Sequence, residues 1–522
     1  MAHNLLVIIE TLAYLYLSFL AGDLIFRLAG RHLAPERLRG VYAVMVGMGV
    51  FGMAGLALGL AGFLTPSALR ILMLAILATG YRAVIAHARL LGSYASPAAL
   101  AGLVRPAVRE YAFLKLLIIF WLAFNFVLAF VPITAHDTKS YHMPIITALR
   151  DDARITFSPE IFEYSWMPLT GEIIYAIPTI AFANTAAPFA FQILQYGLFV
   201  LLVIVVNAFL RDGIRLPALR FGAILFILGI LDLQREALHG GYTDMFVYLF
   251  GIASALLLIQ AYGERGRLRS PEIMLSAAFL GVALGVKLTA LFIAVTNYLF
   301  LFAGMIKNRI GIKKALAHLA AYSLILLLIA GFWSGRNALI YGNPFYLGGT
   351  DLYAGRMAVT FVVEPTPLNL LLFPFYKFGS VSPTDSSSKL VVFGYFILLY
   401  AAAAGFILFG RKKIRAAEIL LFTASHLQLA LIFFQSHHTR YMLPAVILLP
   451  ITLMPLLDRA YEWLQETLRP GAYRAFVRIS YACLGIAGVI LFLGNVHYFW
   501  VKVLYKTGAL TEQQYIKKIG SQ

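Results

Sequence analysis

Charge is scarce in this chain. Asp, Glu, Lys and Arg make up 13% of its 522 residues, where a soluble domain carries about 25%. Hydrophobic residues make up 61%, and mean hydropathy is +0.82. A soluble globular enzyme is thereby excluded, and the composition is that of an integral membrane protein with many spans. Cysteine is almost lacking: Cys483 stands alone within an apolar run, so no intrachain disulfide can form and the redox compartment cannot be read. Acidic residues are few, 24 against 42 Lys and Arg, for a formal charge of +18. The excess does not gather into one basic face of the kind that binds nucleic acid. It lies in short clusters between apolar runs, which sets nucleic acid aside as a partner and points to orientation in a bilayer. The first apolar run begins at Leu5 without a basic segment or a small-residue cleavage site, so it reads as a retained helix.

What the chain has in abundance is runs of about 20 apolar residues, the length that spans a bilayer. Fourteen candidates stand near 4–28, 41–63, 68–88, 112–133, 187–210, 219–236, 243–262, 272–286, 288–305, 315–335, 389–409, 417–434, 441–458 and 476–496. The expected fold is therefore an all-α polytopic bundle of about 12–14 helices. The pair 272–286 and 288–305 is short, since fifteen residues reach only ~22 Å, and a broken or partly inserted hairpin is expected there. With the N-terminus outside, the seven inner loops hold 27 of the 42 Lys and Arg, among them "RHLAPERLR", "ERGRLR" and "RKKIR". Two long segments, 135–186 and 336–388, then fall on the outer face. In the first, Met143, Ile146 and Leu149 recur at a spacing of three before "RDDAR", which suits a helix lying in the interface. The chain divides into 1–111 with extra N-terminal spans, a core 112–335, the outer loop 336–388, spans over 389–496, and a tail 497–522.

The polar residues of interest all land at that outer rim. Asp137 opens "HDTKSYHMP"; Asp244 stands in "HGGYTDMF"; Lys287 in "GVKLTA"; Arg336 and Asn337 in "WSGRNALIYGNPFY"; His437, His438, Arg440 and Tyr441 in "SHHTRYMLP". Each has an ordinary explanation. Either aspartate fits a helix N-cap, and Lys287, Arg336 and Arg440 fit side chains reaching for headgroups. Four histidines, His136, His142, His437 and His438, suggest a divalent metal, but their spacing does not require one. Taken together, a carboxylate able to accept a hydroxyl proton and cations able to hold a departing phosphate form a group-transfer set.

Those residues bring a family with them. "HDTKSYHMP" resembles the D-x-x-x-YH-x-P opening of the first outer loop in polytopic bacterial glycosyltransferases of the GT-C superfamily. These are related to family 39, the protein mannosyltransferases and lipid A aminoarabinose transferases. "YTD" at 242–244, "GVKLTAL" at 285–291, "GRNALIYGNPFY" at 335–346 and "RYMLP" at 440–444 resemble that group's later landmarks, in the same order. The likeness runs from about 112 to 460 and leaves 1–111 uncovered. Many relatives carry adjacent acidic residues in the first loop, where this chain has His136 before a single Asp137. The resemblance implies transfer of a sugar from a polyprenyl-phosphate donor to an acceptor hydroxyl of a lipid, glycan or protein, at the extracytoplasmic face. It makes Asp137 the base. Asp244, Tyr141, His142, Lys287, Arg336, Asn337, His438, Arg440 and Tyr441 become substrate-binding residues. A secondary transporter, an envelope glycan polymerase or ligase, and a non-catalytic assembly subunit are the competing classes.

Overall fold

The computed structural model describes residues 2–30, 36–94, 111–155, 166–182, 187–239, 241–263, 270–344, 416–435 and 439–520, with 366–369, 400–401 and 404 between them. Every regular element among the described residues is helical. In chain order these are α1 (Ala2–Leu28), α2 (Arg39–Leu60), α3 (Pro66–Tyr94), α4 (Ala112–Leu128), α5 (Met143–Asp152), α6 (Thr170–Ala181), α7 (Ala187–Gly213), α8 (Pro217–Gly229), α9 (Leu231–His239), α10 (Asp244–Gly263), α11 (Ser270–Val286), α12 (Leu291–Lys307), α13 (Ile312–Tyr341), α14 (Ala416–Gln435), α15 (Thr439–Thr467), α16 (Pro470–Tyr498), α17 (Trp500–Lys506) and α18 (Glu512–Gly520). Nine described helices are long and apolar enough to cross a membrane, or ten if the bent pair α8–α9 is one span. Each expected span has a helical counterpart here, with 112–133, 272–286 and 417–434 appearing as shorter apolar helices and 219–236 as the bent pair, except that 389–409 falls largely outside the described residues. The expected interfacial helix is α5, and its buried face is Ile145, Ile146 and Leu149.

One expectation about a broken helix is corrected. The span expected at 219–236 is not one straight helix: the extended backbone of Ile230 separates α8 from α9 with a bend of 67°. The change of composition explains it: α8 is apolar throughout, while "LDLQREALH" carries three charges that resist the hydrocarbon. At Lys287, where a break was also expected, the interruption is one extended residue followed by the single turn Leu288–Ala290.

The chain forms two compact units. The first comprises Met1–Ala107, Pro132–Val205 and Ala237–Arg356; the second comprises Val108–Val131, Val206–Glu236 and Met357–Gln522. In the first unit, α2 is a glycine-faced helix. A Cβ added at Gly47 would lie 1.7 Å from the Ser18 carbonyl oxygen, and one at Gly22 would lie 1.9 Å from that of Ala43, so α1 and α2 touch backbone to backbone. Small residues permit this close approach between membrane helices. Further along α2, Gly52, Gly55 and Gly59 receive Ile174, Ile173 and Ile155. Two backbone hydrogen bonds, Ile155 N–H to Gly59 at 3.0 Å and Leu64 N–H to Ala153 at 2.9 Å, tie the end of α2 to the chain after α5. The N-terminal spans are thus packed onto α6 and the α5 exit. Across α10–α13, Ser254, Ser276, Asn297 and Tyr322 form a buried hydrogen-bonded knot, with Asn297 Nδ2 donating to Ser254 Oγ at 2.7 Å and Tyr322 Oη at 3.0 Å.

In the second unit, Phe492 of α16 is ringed by Phe120, Trp121 and Phe124 of α4, each 5.3 Å away. Gly222, Gly229 and Gly488 let α8 and α16 close on one another through Leu484, Leu491 and Leu225. The Asp458 carboxylate of α15 accepts the backbone N–H groups of Arg215 and Leu216 at 3.0 and 2.9 Å, satisfying donors where α8 begins.

The α1–α2 contact has a direct test. Gly47→Leu places a side chain where the Ser18 backbone stands, so the pair must separate; the expected result is loss of the folded protein from detergent extracts, monitored by fluorescence-detected gel filtration. A monodisperse Gly47→Leu protein with unchanged melting temperature contradicts this packing.

Candidate active site

The site is built on the turn that opens the first long loop. Residues 138–142 form a single π-helical turn leading directly into α5, which has Pro144 in its first turn. A π turn bonds i to i+5, and such turns recur at functional sites. Here it brings Tyr141 and His142, four and five residues on, back beside Asp137. His136, Lys139 and Ser140 remain exposed, Thr138, Tyr141 and His142 are buried, and Asp137 is half-buried. Asp137 makes no capping bond to the turn that follows it. Its Oδ2 accepts a hydrogen bond from the Tyr141 hydroxyl at 3.2 Å.

His142 is held from the other side. Its Nδ1 lies 2.7 Å from Glu172 Oε1, with side-chain exposures of 3% and 5%. At that distance a proton sits between nitrogen and carboxylate, and the bond fixes the ring's orientation. Glu172 occupies the first turn of α6, a helix buried along its whole length. A carboxylate in such surroundings requires a hydrogen-bonded partner. His142 Nε2 and Glu172 Oε2, the outer atoms of the pair, are buried and have no hydrogen-bond partner.

A second pair stands nearby. Asp244 is the first residue of α10, and both its oxygens receive Lys287 Nζ at 2.9 Å, with exposures of 13% for the lysine and 2% for the aspartate. Lys287 reaches it from the extended residue between α11 and the following turn. Tyr175 joins the two pairs: its hydroxyl donates to the Tyr242 carbonyl at 3.1 Å, and the charges of both Glu172 and Asp244 act on it. The turn before Asp244 is fitted tightly. Gly241 has φ +82°, and a Cβ there would lie 2.4 Å from Thr138 Cγ2; one at Gly171 would lie 2.7 Å from Thr243 Cγ2. The Tyr242 ring meets His142 edge-on at 6.2 Å.

Arg336 and Asn337 hold the entrance to α6. The Arg336 guanidinium donates to the Trp166 and Met167 carbonyls and to Asn337 Oδ1, and it lies 5.0 Å over the Trp333 ring. Asn337 Nδ2 adds a bond to the Trp166 carbonyl at 3.1 Å, and Trp333 Nε1 donates to Thr170 Oγ1 at 3.0 Å. Three side chains of α13 thus fix the segment that leads to Glu172.

Asp137, Tyr141, His142, Asp244, Lys287, Arg336 and Asn337 therefore share the first unit. Arg440 and Tyr441 belong to the second, where the Arg440 guanidinium lies 5.3 Å over the Tyr441 ring. His438 lies outside the described residues, as does His437. Among the described residues no three His, Cys, Asp or Glu converge as metal ligands. Glu172 was missed by sequence reasoning, although one acid inside "LTGEIIYAIPTIAFA" is the kind of ionisable residue that marks a site in an apolar segment.

No protein-family model matches the chain, and no curated protein sequence does so either. Among solved structures, the chain is similar to the crystal structure of ArnT from Cupriavidus metallidurans bound to undecaprenyl phosphate. The identity is 14%, the match covers 72% of this chain and 75% of that one, and the TM-score is 0.48.

Replacing Arg336 by Lys removes the fork that reaches two carbonyls and one amide at once. Hydrogen bonds from a charged donor are worth about 1.5–3 kcal/mol each, so Arg336→Lys should lower unfolding free energy by ~2 kcal/mol, most of what Arg336→Ala removes. A lysine variant as stable as the parent in a denaturant melt contradicts the clamp.

Proposed function

We propose that this chain is a membrane glycosyltransferase that moves a sugar from a polyprenyl-phosphate carrier to an acceptor hydroxyl by one inverting displacement. Asp137 carries the reading. It directly precedes a π turn, does not cap it, is only partly buried, and accepts a hydrogen bond from Tyr141. That is the condition of a carboxylate available to take a proton. The ordered resemblance of five motifs to GT-C glycosyltransferases supports the same assignment, and four of those motifs lie in the same compact unit, Asp137's own among them.

In this mechanism the acceptor hydroxyl gives its proton to an Asp137 oxygen as the acceptor oxygen forms a bond to the anomeric carbon. The bond between that carbon and the phosphate oxygen breaks on the opposite face. Polyprenyl phosphate leaves with one more negative charge than it carried as a diester, so the step needs cations more than a general acid. Lys287 is the first-unit cation suited to this, because its Asp244 partner positions Nζ and it keeps some exposure. Arg336 acts on the same site by fixing the segment that leads into α6. The ionisable residues stand at helix ends and turns, whereas a secondary transporter places them near the bilayer midplane. The active site faces the extracytoplasmic side, the side opposite the basic loops.

Two measurements test this. Purified protein incubated with a panel of radiolabelled polyprenyl-phosphate sugars should consume at least one, and Asp137→Asn should slow that turnover about 10²–10⁴-fold with donor binding retained. Near-normal turnover by Asp137→Asn ends the base assignment. For orientation, cysteines placed at the exposed positions Ser140 and Lys313, with Cys483→Ala, should differ in intact cells. An impermeant maleimide should mark Ser140→Cys and spare Lys313→Cys; the reverse pattern puts the site in the cytoplasm and excludes the proposed face.

A further inference from the structure

A second feature lies in the second unit, apart from the proposed chemistry. Between α4 and α16 runs an apolar groove of ≈ 250 Å³, lined by Phe113, Tyr481, Ala482, Gly485, Ile486 and Ile490. Its walls face outward: Phe113 is 50% exposed and Ile486 61%. Gly485 makes the floor, where a Cβ would stand 3.1 Å from the Phe113 ring.

At one end the groove runs into aromatic and basic side chains. The Tyr481 ring is 5.5 Å from Tyr111, and Tyr111 is 6.3 Å from Phe221. Tyr111 immediately precedes α4 with φ 54°, a backbone conformation that is strained for any residue but glycine. Over the Phe221 ring lie Lys115 Nζ at 5.7 Å and Arg220 Cζ at 4.7 Å. Arg220 Nε is buried without a hydrogen-bond partner, and Arg211 acts on it as a like charge. Positive charges held together at a helix end, with one donor buried and unanswered, call for an anion. The cations stand where α4 and α8 begin and α7 ends, Tyr481 lies further along α16, and the apolar groove continues from them between α4 and α16.

We propose that this is a binding site for an anionic phospholipid, with an acyl chain in the Phe113–Gly485 groove and the phosphate among Lys115, Arg211 and Arg220. The order of chemistry along the groove, apolar, then tyrosine, then cation, is that of a phospholipid from tail through interface to headgroup. A zwitterionic lipid fills the groove equally well but leaves the three positive charges less compensated.

The test uses the full-length protein in detergent, titrated with dioleoyl phosphatidylglycerol or dioleoyl phosphatidylcholine and read by native mass spectrometry. Phosphatidylglycerol should form its first adduct at about tenfold lower concentration than phosphatidylcholine, and Lys115→Gln with Arg220→Gln should erase that advantage. Ala482→Trp, which fills the groove from an exposed position, should reduce first-adduct formation by both lipids while leaving the basic cluster intact. It also keeps the test decisive if the double variant fails to fold. Equal adduct formation by the two lipids, a phosphatidylglycerol advantage that survives the double substitution, or an Ala482→Trp protein that binds both lipids as the parent does, overturns the proposal.

Discussion

A carboxylate inside an apolar helix is unstable unless something answers it, and the first unit is arranged around the answer to Glu172. The group that meets it, His142, comes from the turn that also carries Asp137. This one interaction, 2.7 Å long and almost fully buried, therefore joins the packing of α6 to the placement of the proposed base. Breaking such a pair from one side costs several kcal/mol, because it leaves the other charge stranded.

Other contacts act through the same helix. The Arg336–Asn337–Trp333 group fixes its entrance, and the glycine face of α2 receives Ile173 and Ile174, the two residues that follow Glu172. Tyr175, one turn further along, connects the Glu172 pair to Asp244 and Lys287. The N-terminal spans, which lie beyond the motif resemblance, thus belong physically to the unit that contains the site. In the second unit the groove between α4 and α16, with Lys115 and Arg220 at its end, is a separate feature.

Much of this was legible in the sequence because membrane helices announce themselves by length and apolarity. Nine of the ten proposed site residues fall among the described residues, and Asp244 with Lys287 proved to be partners, not merely neighbours at one rim. Four things were not legible. The partner of His142 was invisible, since Glu172 lies 30 residues away in an apolar run and nothing local signals the pairing. The cap reading of Asp137 could not be weighed from the sequence, because Asp suits both a cap and a base, whereas the structure shows that it makes no capping bond. The bonds of Arg336 to the Trp166 and Met167 carbonyls were not foreseeable, because backbone groups carry no sequence signature. The bend at Ile230 was missed for a related reason: hydropathy averaged over "LGILDLQREALHG" blurs a boundary that the backbone makes in one residue.

The most direct test of this account is a double-mutant cycle on the buried pair, with His142→Ala and Glu172→Ala alone and together, read on unfolding free energy and on turnover. If the pair is what presents the Asp137 turn, the two losses are coupled by about 1–3 kcal/mol, the range found for contacting residues, and either single variant loses turnover at temperatures where it remains folded. Strictly additive losses, or full turnover from a folded Glu172→Ala protein, would contradict it.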